Sequence, residues 1–229
     1  MATDKSKTDK ELESVGEIVS KSEQFIEQNS KKLVYGILSV IVVVVAAISF
    51  QQLYLEPQEA KASTAMFTGE QYFAKDSFEL ALNGNGADVI GFDGIIKQYG
   101  STKAGNLAKA YAGICNYRLG NTDEALKLLQ SYDGSDNMIA PAITGLIGDC
   151  YVKLGDVKKG ISYFEQAAKE GNNEVISPEY LKKAGRAYES LGQYADAAKA
   201  YTVIKTKYYT SMDAADIDKY ISRANALNK

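Results

Sequence analysis

The sequence predicts an all-α fold in which a single N-terminal transmembrane helix is followed by an α-solenoid of helical hairpins. Three observations support this prediction. An uncharged and mostly apolar run covers residues 33–55. Leu-Gly pairs then recur at residues 119–120, 154–155 and 191–192, and the apolar residues around them follow the helical period. The chain therefore divides into a tail (1–32), a membrane span (33–55) and a repeat domain (56–229).

The composition excludes several classes of function. Lys and Arg total 26 against 29 acidic residues, a net charge of -3 that lacks the basic footprint of a nucleic-acid-binding protein. There is no histidine, so the usual general base and the commonest zinc ligand are both missing. We therefore expect no enzyme activity, cofactor, metal ion, nucleic acid or small-molecule substrate. A catalytic site built from carboxylates or lysines alone is the remote alternative.

The apolar run from Leu33 to Leu55 is long enough to cross a hydrocarbon core of about 30 Å as a helix. The alternative is a cleaved signal peptide, but the 32 residues that precede the run are too many for the charged lead of such a peptide. Lys31 and Lys32 flank one end, and acids flank the other, so the positive-inside tendency places the N-terminus in the cytoplasm.

The tail that precedes the span has two parts. Residues 1–11 carry alternating charges with little apolar content, and we predict that they are disordered. Residues 12–29 have apolar positions at helical spacing and predict an amphipathic helix. Its many glutamates disfavour binding to lipid, so it either contacts a partner or stays solvated.

The repeat is defined by small and large residues at fixed distances from each Leu-Gly pair. The pairs recur after 35 and then 37 residues, and another glycine stands seven residues before the glycine of each pair. A glycine inside a helix costs about 1 kcal/mol relative to alanine, which is explained if a neighbouring helix approaches closely there. The first glycines of the three units are Gly113, Gly148 and Gly185, and the helix-ending glycines are Gly120, Gly155 and Gly192. Five residues after each helix-ending glycine stands a small residue (Ala125, Gly160 and Ala197). Nine residues after it stands a large apolar residue (Leu129, Phe164 and Tyr201).

This pattern resembles the tetratricopeptide repeat (TPR), a unit of 34 residues that folds as a helical hairpin. Tyr151 and Tyr188 match the tyrosine of its first helix, whereas Asn116 replaces that tyrosine in the first clear unit. Upstream, residues 62–99 contain two apolar stripes separated by a turn at residues 83–86, which predicts a degenerate fourth hairpin. Downstream, residues 214–224 predict a last helix that caps the solenoid.

The resemblance implies a groove lined by the first helices of the repeats, which is the surface on which such proteins bind peptides. The positions of the asparagine and lysine that clamp a peptide's terminal carboxylate in some TPR modules carry Ile114, Asp149 and Arg186 here, so that specificity is not implied. The residues that this register directs into the groove, as a partner-binding surface, are Ile114, Tyr117, Arg118, Asp149, Lys153, Arg186 and Glu189.

Three other motifs have structural interpretations. The glycine-rich segment 83–94 lacks a preceding strand and a phosphate-binding lysine, so we interpret it as a loop. Asp133, Ser135 and Asp136 lack the glutamate that completes a calcium loop, so we interpret them as part of a turn. Cys115 and Cys150 occupy equivalent places on packed helices, where axes about 8–10 Å apart would strain a disulfide, so we expect buried free thiols.

The order of charged tail, single span and TPR array is similar to that of the YfgM-like family, ancillary membrane subunits of the bacterial Sec translocon. The resemblance implies an inner-membrane protein with its repeats in the periplasm. Its partners would be translocon subunits, periplasmic chaperones or envelope clients. The alternative is an assembly scaffold in an envelope secretion or outer-membrane biogenesis complex, with one fixed partner.

Overall fold

The computed structural model describes the backbone of residues 5–228 and the side chains of residues 25–228. It is built from helices, and the described residues form no strand, which confirms the all-α fold class. The chain falls into two compact units, divided between Pro57 and Gln58. Each unit has its own organisation.

The first unit is dominated by one long helix, α1 (Lys5–Phe50), followed by a π-helical turn (Gln51–Leu55). Every large apolar side chain from Leu33 to Phe50 is exposed. By length and composition, this is a helix that could cross a membrane.

The tail differs from the prediction at residues 5–11, which are helical and not disordered. Extending an existing helix adds one hydrogen bond for each residue that is fixed, and the Lys and Glu of this segment are good helix formers. Residues 1–4 of the predicted disordered segment lie outside the described residues. So do the side chains of residues 12–24, on which the predicted amphipathic face depends.

The repeat unit contains ten α-helices and one 3-10 turn along its described length. The first hairpin comprises three helices and the later hairpins two each, followed by a single C-terminal helix. The bounds are α2 (Glu56–Ala74), α3 (Phe78–Asn83), α4 (Gly91–Tyr99), α5 (Lys103–Leu119), α6 (Thr122–Gln130), α7 (Ile139–Lys153), α8 (Val157–Gly171), α9 (Ile176–Ser190), α10 (Tyr194–Lys207), the 3-10 turn (Met212–Asp216) and α11 (Ile217–Leu227).

Each regular hairpin is held together by a glycine on its first helix and a large side chain on its second. A Cβ atom added to Gly113 would lie 2.6 Å from Leu129 Cγ, and one added to Gly148 would lie 2.7 Å from Phe164 Cδ1. A Cβ atom at Gly185 would collide with the Tyr201 ring. The predicted close approach of the two helices is confirmed at all three glycines.

The first helix of each regular hairpin ends at a glycine in the left-handed conformation. Gly120, Gly155 and Gly192 have φ values of 90°, 91° and 71°. The next N–H donates back to the carbonyl five residues earlier, as in Asp156 N to Tyr151 O at 2.9 Å. This is the Schellman pattern, which glycine accommodates without steric cost.

The first hairpin keeps the register of the later repeats in its first helix. Gly69 on α2 takes the close-approach position, with an added Cβ only 2.8 Å from Phe92 Cε1. Tyr72 follows three residues later, and Ser77 N donates to Tyr72 O at 2.9 Å in the same helix-ending pattern. Asp76, with φ 54°, occupies the left-handed position that glycine takes elsewhere.

The second half of that hairpin is where the prediction was incomplete. Helix α3 starts like a regular second helix, because buried Ala81 lies twelve residues after Gly69, as Ala125 lies after Gly113. The helix then stops at Gly84, whose φ is 77°. The predicted turn at residues 83–86 extends to residue 90, and α4 then supplies Phe92 as the large residue.

The C-terminal helix closes the solenoid by burying Ile217, Tyr220 and Ala224 against α10. The predicted capping helix is therefore confirmed. It begins at Ile217, three residues later than predicted, because Ser211 caps a 3-10 turn over residues 212–216 first.

Candidate partner-binding groove

The first helices of successive repeats, α5, α7, α9 and α11, are linked side by side through contacts between residues 34 to 36 positions apart. These contacts involve most of the side chains that the sequence assigned to a groove. They are ion pairs, hydrogen bonds and cation–π contacts. The face they form is therefore a polar surface with a defined arrangement of charges.

Two contacts join the first three helices. Lys153 Nζ lies 4.8 Å from the centre of the Tyr117 ring, within the range of a cation–π contact. Asp149 Oδ2 accepts a hydrogen bond of 2.7 Å from Lys183 Nζ. Partial burial raises the pKa of the Tyr117 hydroxyl, and the nearby Asp149 carboxylate adds to that shift. The Tyr117 hydroxyl is therefore neutral near neutral pH.

The link from α9 to α11 is the most extensive. Glu189 forms a two-point ion pair with Arg223, with distances of 2.6 and 3.2 Å. Arg186 donates a hydrogen bond of 2.9 Å to the Tyr220 hydroxyl. That hydrogen bond lowers the pKa of Tyr220, because it stabilises the phenolate form.

Tyr220 lies at the centre of a cluster of cations. Lys182, Arg186, Lys219 and Arg223 all approach its ring, at 4.9 to 5.4 Å from the centroid. Lys182 also donates to the carboxylates of Asp213 and Asp216 at 3.0 and 3.1 Å. Burial alone would lower the pKa of Lys182, but these two hydrogen bonds raise it. The cluster fixes α11 against the repeat array.

Two cations on this face have no carboxylate within ion-pair distance among the described residues. Lys153 is exposed and faces the Tyr117 ring, and Arg186 is exposed and contacts Tyr220. The contacts described for these two cations are with aromatic rings and a hydroxyl group, which carry no formal charge. Both can therefore interact with an acidic group on a ligand without first breaking an ion pair.

Two of the residues assigned to the groove have other contacts. Ile114 is half-buried and packs against the core between α5, α6 and α7. Arg118 lies at the far end of α5, where its guanidinium stacks 5.1 Å from the Phe78 ring and lies 3.6 Å from Asp76. Tyr117, Asp149, Lys153, Arg186 and Glu189 are the five that the structure links from helix to helix.

Sequence reasoning missed Lys182, Lys183, Tyr220 and Arg223, which complete these contacts. Helix α11 was interpreted only as a cap, so its side chains were not considered as part of the face. A signal was present, since Tyr220 and Arg223 lie 34 residues after Arg186 and Glu189. A repeat-length offset into the capping helix would have identified both.

The remaining motifs have structural roles. Cys115 and Cys150 are buried and free, as predicted, and burial raises the pKa of their thiols to about 12 and about 11. Asp136 accepts hydrogen bonds from three backbone N–H groups at the start of α7, so its predicted turn is a helix cap. In the segment 83–94, Asn85 Oδ1 accepts from the N–H groups of Ala87 and Val89, which closes the loop on itself.

Comparisons with known proteins identify the repeats. Residues 111–132 and 145–208 match family models described as "Tetratricopeptide repeat". No curated protein gives a significant match over the sequence. Solved structures with a similar fold include TPR-like repeats described as a kinesin light chain of Podosopora anserina, with 14% identity, 74% of this chain and 87% of that chain covered, and a TM-score of 0.56.

A second similar structure is the MamA protein, with 17% identity, 72% of this chain and 91% of that chain covered, and a TM-score of 0.52. At these identities the similarity establishes the fold alone. Together with the family models, it shows that this chain carries tetratricopeptide repeats, whose fold indicates a scaffold for protein–protein interaction.

Proposed function

We propose that the protein is a membrane-anchored TPR scaffold of the bacterial cell envelope, without catalytic activity. The observation that carries the proposal is the polar face of α5, α7, α9 and α11, whose side chains are paired from one repeat to the next. Because these side chains are already ordered, a partner that binds them loses less conformational entropy than one that binds mobile side chains.

The chemistry of the face favours a protein ligand with acidic and aromatic side chains. Lys153 and Arg186 offer cations without competing carboxylates, and Tyr117 and Tyr220 offer ring surfaces beside them. Tyrosine and arginine are the residue types that dominate the energetics of protein interfaces. The raised thiol pKa values of Cys115 and Cys150 are the opposite of what an activated nucleophile needs, which supports a non-catalytic role.

The apolar helix supports the membrane assignment. Its large side chains are exposed to the surroundings from Leu33 to Phe50, an arrangement that is stable in lipid and costly in water. Lys31 and Lys32 at its N-terminal end favour a cytoplasmic tail, with the repeats in the periplasm. The proposed location is therefore the inner membrane.

Within the envelope, the proposed site of action is the Sec translocon, together with periplasmic chaperones. The support is the similarity of the domain order to that of YfgM-like subunits. A scaffold at this site would meet varied clients as they emerge. An assembly scaffold in a secretion or outer-membrane biogenesis complex would instead hold one fixed partner.

Site-specific photo-crosslinking in intact cells tests this proposal. A photoreactive residue would be placed at Tyr117, Lys153 or Arg186 on the polar face, and at Lys169 on α8 as a matched exposed control. We expect crosslinks to translocon subunits, chaperones and several clients from the face and none from Lys169. A single stoichiometric partner would support the assembly scaffold, and crosslinks confined to Lys169 would contradict the groove.

A further inference from the structure

Helix α6 is much shorter than the second helices of the two following hairpins. It ends at Gln130 after 9 residues, whereas α8 and α10 have 15 and 14 residues. At the repeat distance of 35 residues, Gln130 corresponds to Glu165, and α8 continues beyond Glu165 to Gly171. After α6 the chain runs instead through the loop 131–138. A cavity of about 600 Å³ lies between this loop, α6, α7 and α8.

The cavity has an apolar floor and an aromatic side. Its floor is formed by the buried side chains of Leu129, Ile143 and Ile147. Tyr163 lines one side, and its ring is held in place by stacking on Tyr151, with 5.2 Å between the ring centres. The volume is within the range of about 300–1,000 Å³ that is usual for ligand sites. The cavity therefore has room for a long side chain whose apolar part lies on the floor.

Helix α7 separates the cavity from the polar face described above. It directs Ile143 and Ile147 into the cavity, and Asp149 and Lys153 onto the polar face. Residues 147 and 149 are about 200° apart around a helix of 3.6 residues per turn. The cavity and the polar face are therefore different sites on opposite sides of the same helix.

The formal charges of the cavity are negative. The residues that line it, all within the described part of the chain, include the carboxylates of Asp136 and Glu170 and no lysine or arginine. Glu170 accepts hydrogen bonds from the Thr144 hydroxyl at 2.9 Å and from the Gln166 amide at 2.7 Å. Both donors are uncharged. They orient the Glu170 carboxylate at the cavity without neutralising it.

The start of α7 does not offer the cavity a site for an anion. The N–H groups at a helix N-terminus attract negative charge. Here Asp136 already accepts hydrogen bonds from the N–H groups of Met138, Ile139 and Ala140. Glu170 is then the carboxylate that remains for a ligand. A cation would meet this carboxylate and an aromatic ring, which are the two groups that bind cations in proteins.

We propose that the cavity is a second partner-binding site, which takes a lysine or arginine side chain of a partner polypeptide. The methylene stem lies on the apolar floor, and the cationic head binds Glu170 beside the Tyr163 ring. That the cation belongs to a polypeptide rests on the scaffold function proposed above. The preference for a cation does not, because it depends on residues that the polar face does not use.

Fluorescence anisotropy tests this site in full-length protein kept in an uncharged detergent. The probe is fluorescein-labelled trilysine amide, displaced either by unlabelled acetyl-trilysine amide or by spermidine, a free amine with the same number of positive charges. Glu170→Gln removes the charge and keeps the size of the side chain. Glu174→Gln, at an exposed residue outside the cavity, is the matched control for net charge.

We expect Glu170→Gln to weaken trilysine binding about tenfold and Glu174→Gln to change it less than about twofold. Equal weakening by both variants would show attraction to the protein's overall charge and would overturn the cavity site. Trilysine that fails to bind, or that binds with no loss in either variant, would overturn it too. If spermidine displaced the probe at lower concentration than acetyl-trilysine amide, the cavity would be assigned to a free amine and not to a polypeptide.

The two proposals can fail independently. The crosslinking control Lys169 does not line the cavity, so the polar face is tested without it. Loss of the cavity site leaves crosslinks from Tyr117, Lys153 and Arg186 as expected. Trilysine binding that depends on Glu170, with no crosslinks from the polar face, would overturn the groove and retain the cavity.

Discussion

In the first hairpin, the large side chain that packs on the close-approach glycine lies 23 residues after it, whereas in the three later hairpins that distance is 16 residues. Gly69 and Phe92 make the same contact as Gly148 and Phe164. The helix-ending hydrogen bond from Ser77 to Tyr72 also repeats in each later hairpin. The first helix is therefore retained in full, and only the second helix has been rebuilt.

The comparison shows which part of the repeat the fold requires. A glycine that lets two helices approach, and a stop seven residues later, fix the position of the next element. The large residue that fills the gap can come from a separate helix, as Phe92 does from α4. Contact geometry, and not sequence spacing, is the property that the two regions share.

The largest expected effect comes from removing the large residue in either region. Phe92 and Tyr201 are both fully buried, so Phe92→Ala and Tyr201→Ala should each lower the free energy of unfolding by about 3–5 kcal/mol. Hydrogen exchange of the full-length protein in detergent should show local loosening, in α2–α5 for the first variant and α9–α11 for the second. Phe67→Ala, at a side chain that is 63% exposed, is the control with little expected change.

A smaller effect is expected from filling the close approach. Gly69→Ala would crowd Phe92 as Gly148→Ala would crowd Phe164, at a cost of about 1–3 kcal/mol. The better helix propensity of alanine offsets about 1 kcal/mol of that cost. In a Phe92→Leu background, Gly69→Ala should cost less or become stabilising. Additive losses in a double-mutant denaturation experiment would show that Gly69 and Phe92 do not interact as described.

The helix stop should respond in opposite directions in the two regions. Asp76 holds a left-handed conformation that favours glycine, so Asp76→Gly should stabilise the protein by up to about 1 kcal/mol. Gly155→Ala, at φ 91°, should destabilise it by about 1–2 kcal/mol. The Asp76–Arg118 ion pair is exposed and contributes little. Asp76→Ala removes that charge without relieving the left-handed backbone, and a gain from it would contradict the backbone explanation.

The smallest expected effect is a difference in acid sensitivity. Burial raises the pKa of Asp136, but three backbone hydrogen bonds outweigh it and lower the pKa overall. A hydrogen bond from the Lys159 N–H lowers the pKa of Asp156. The stability that these caps of α7 and α8 provide is present above the unfolded value of 3.8 and is lost as the pH falls below it.

Asp93 on α4 behaves in the opposite way, because burial raises its pKa. Its protonation stabilises the first hairpin as the pH falls toward 3.8. Hydrogen exchange measured as the pH falls below 3.8 should therefore show loosening at α7 and α8 before α4. In Asp136→Asn protein the side chain at this position cannot titrate, so acid should loosen α7 less than in the native protein. If acid loosened α7 equally in the variant and in the native protein, the role of the cap would be contradicted.

The sequence was sufficient to predict the regular hairpins, because Gly113, Gly148 and Gly185 stand at fixed distances from their Leu-Gly pairs. It did not reveal that the first hairpin shares their register, since Asp76 takes the place of the helix-ending glycine and Gly84 interrupts the second helix. The groove was predicted in part. Lys182 and Lys183 were missed because their pairing depends on how neighbouring helices stack, which local spacing does not encode. Tyr220 and Arg223 were missed because α11 was interpreted only as a cap.

Topology tests the central claim that the chain anchors a TPR array outside the cytoplasm. Single cysteines would replace Lys5 and Asn228, and intact cells would be treated with a membrane-impermeant thiol reagent. Buried Cys115 and Cys150, with raised pKa values, should stay unlabelled in the folded protein. The account predicts labelling at residue 228 alone once the outer membrane is made permeable. Labelling at residue 5 alone would place the repeats in the cytoplasm and contradict it.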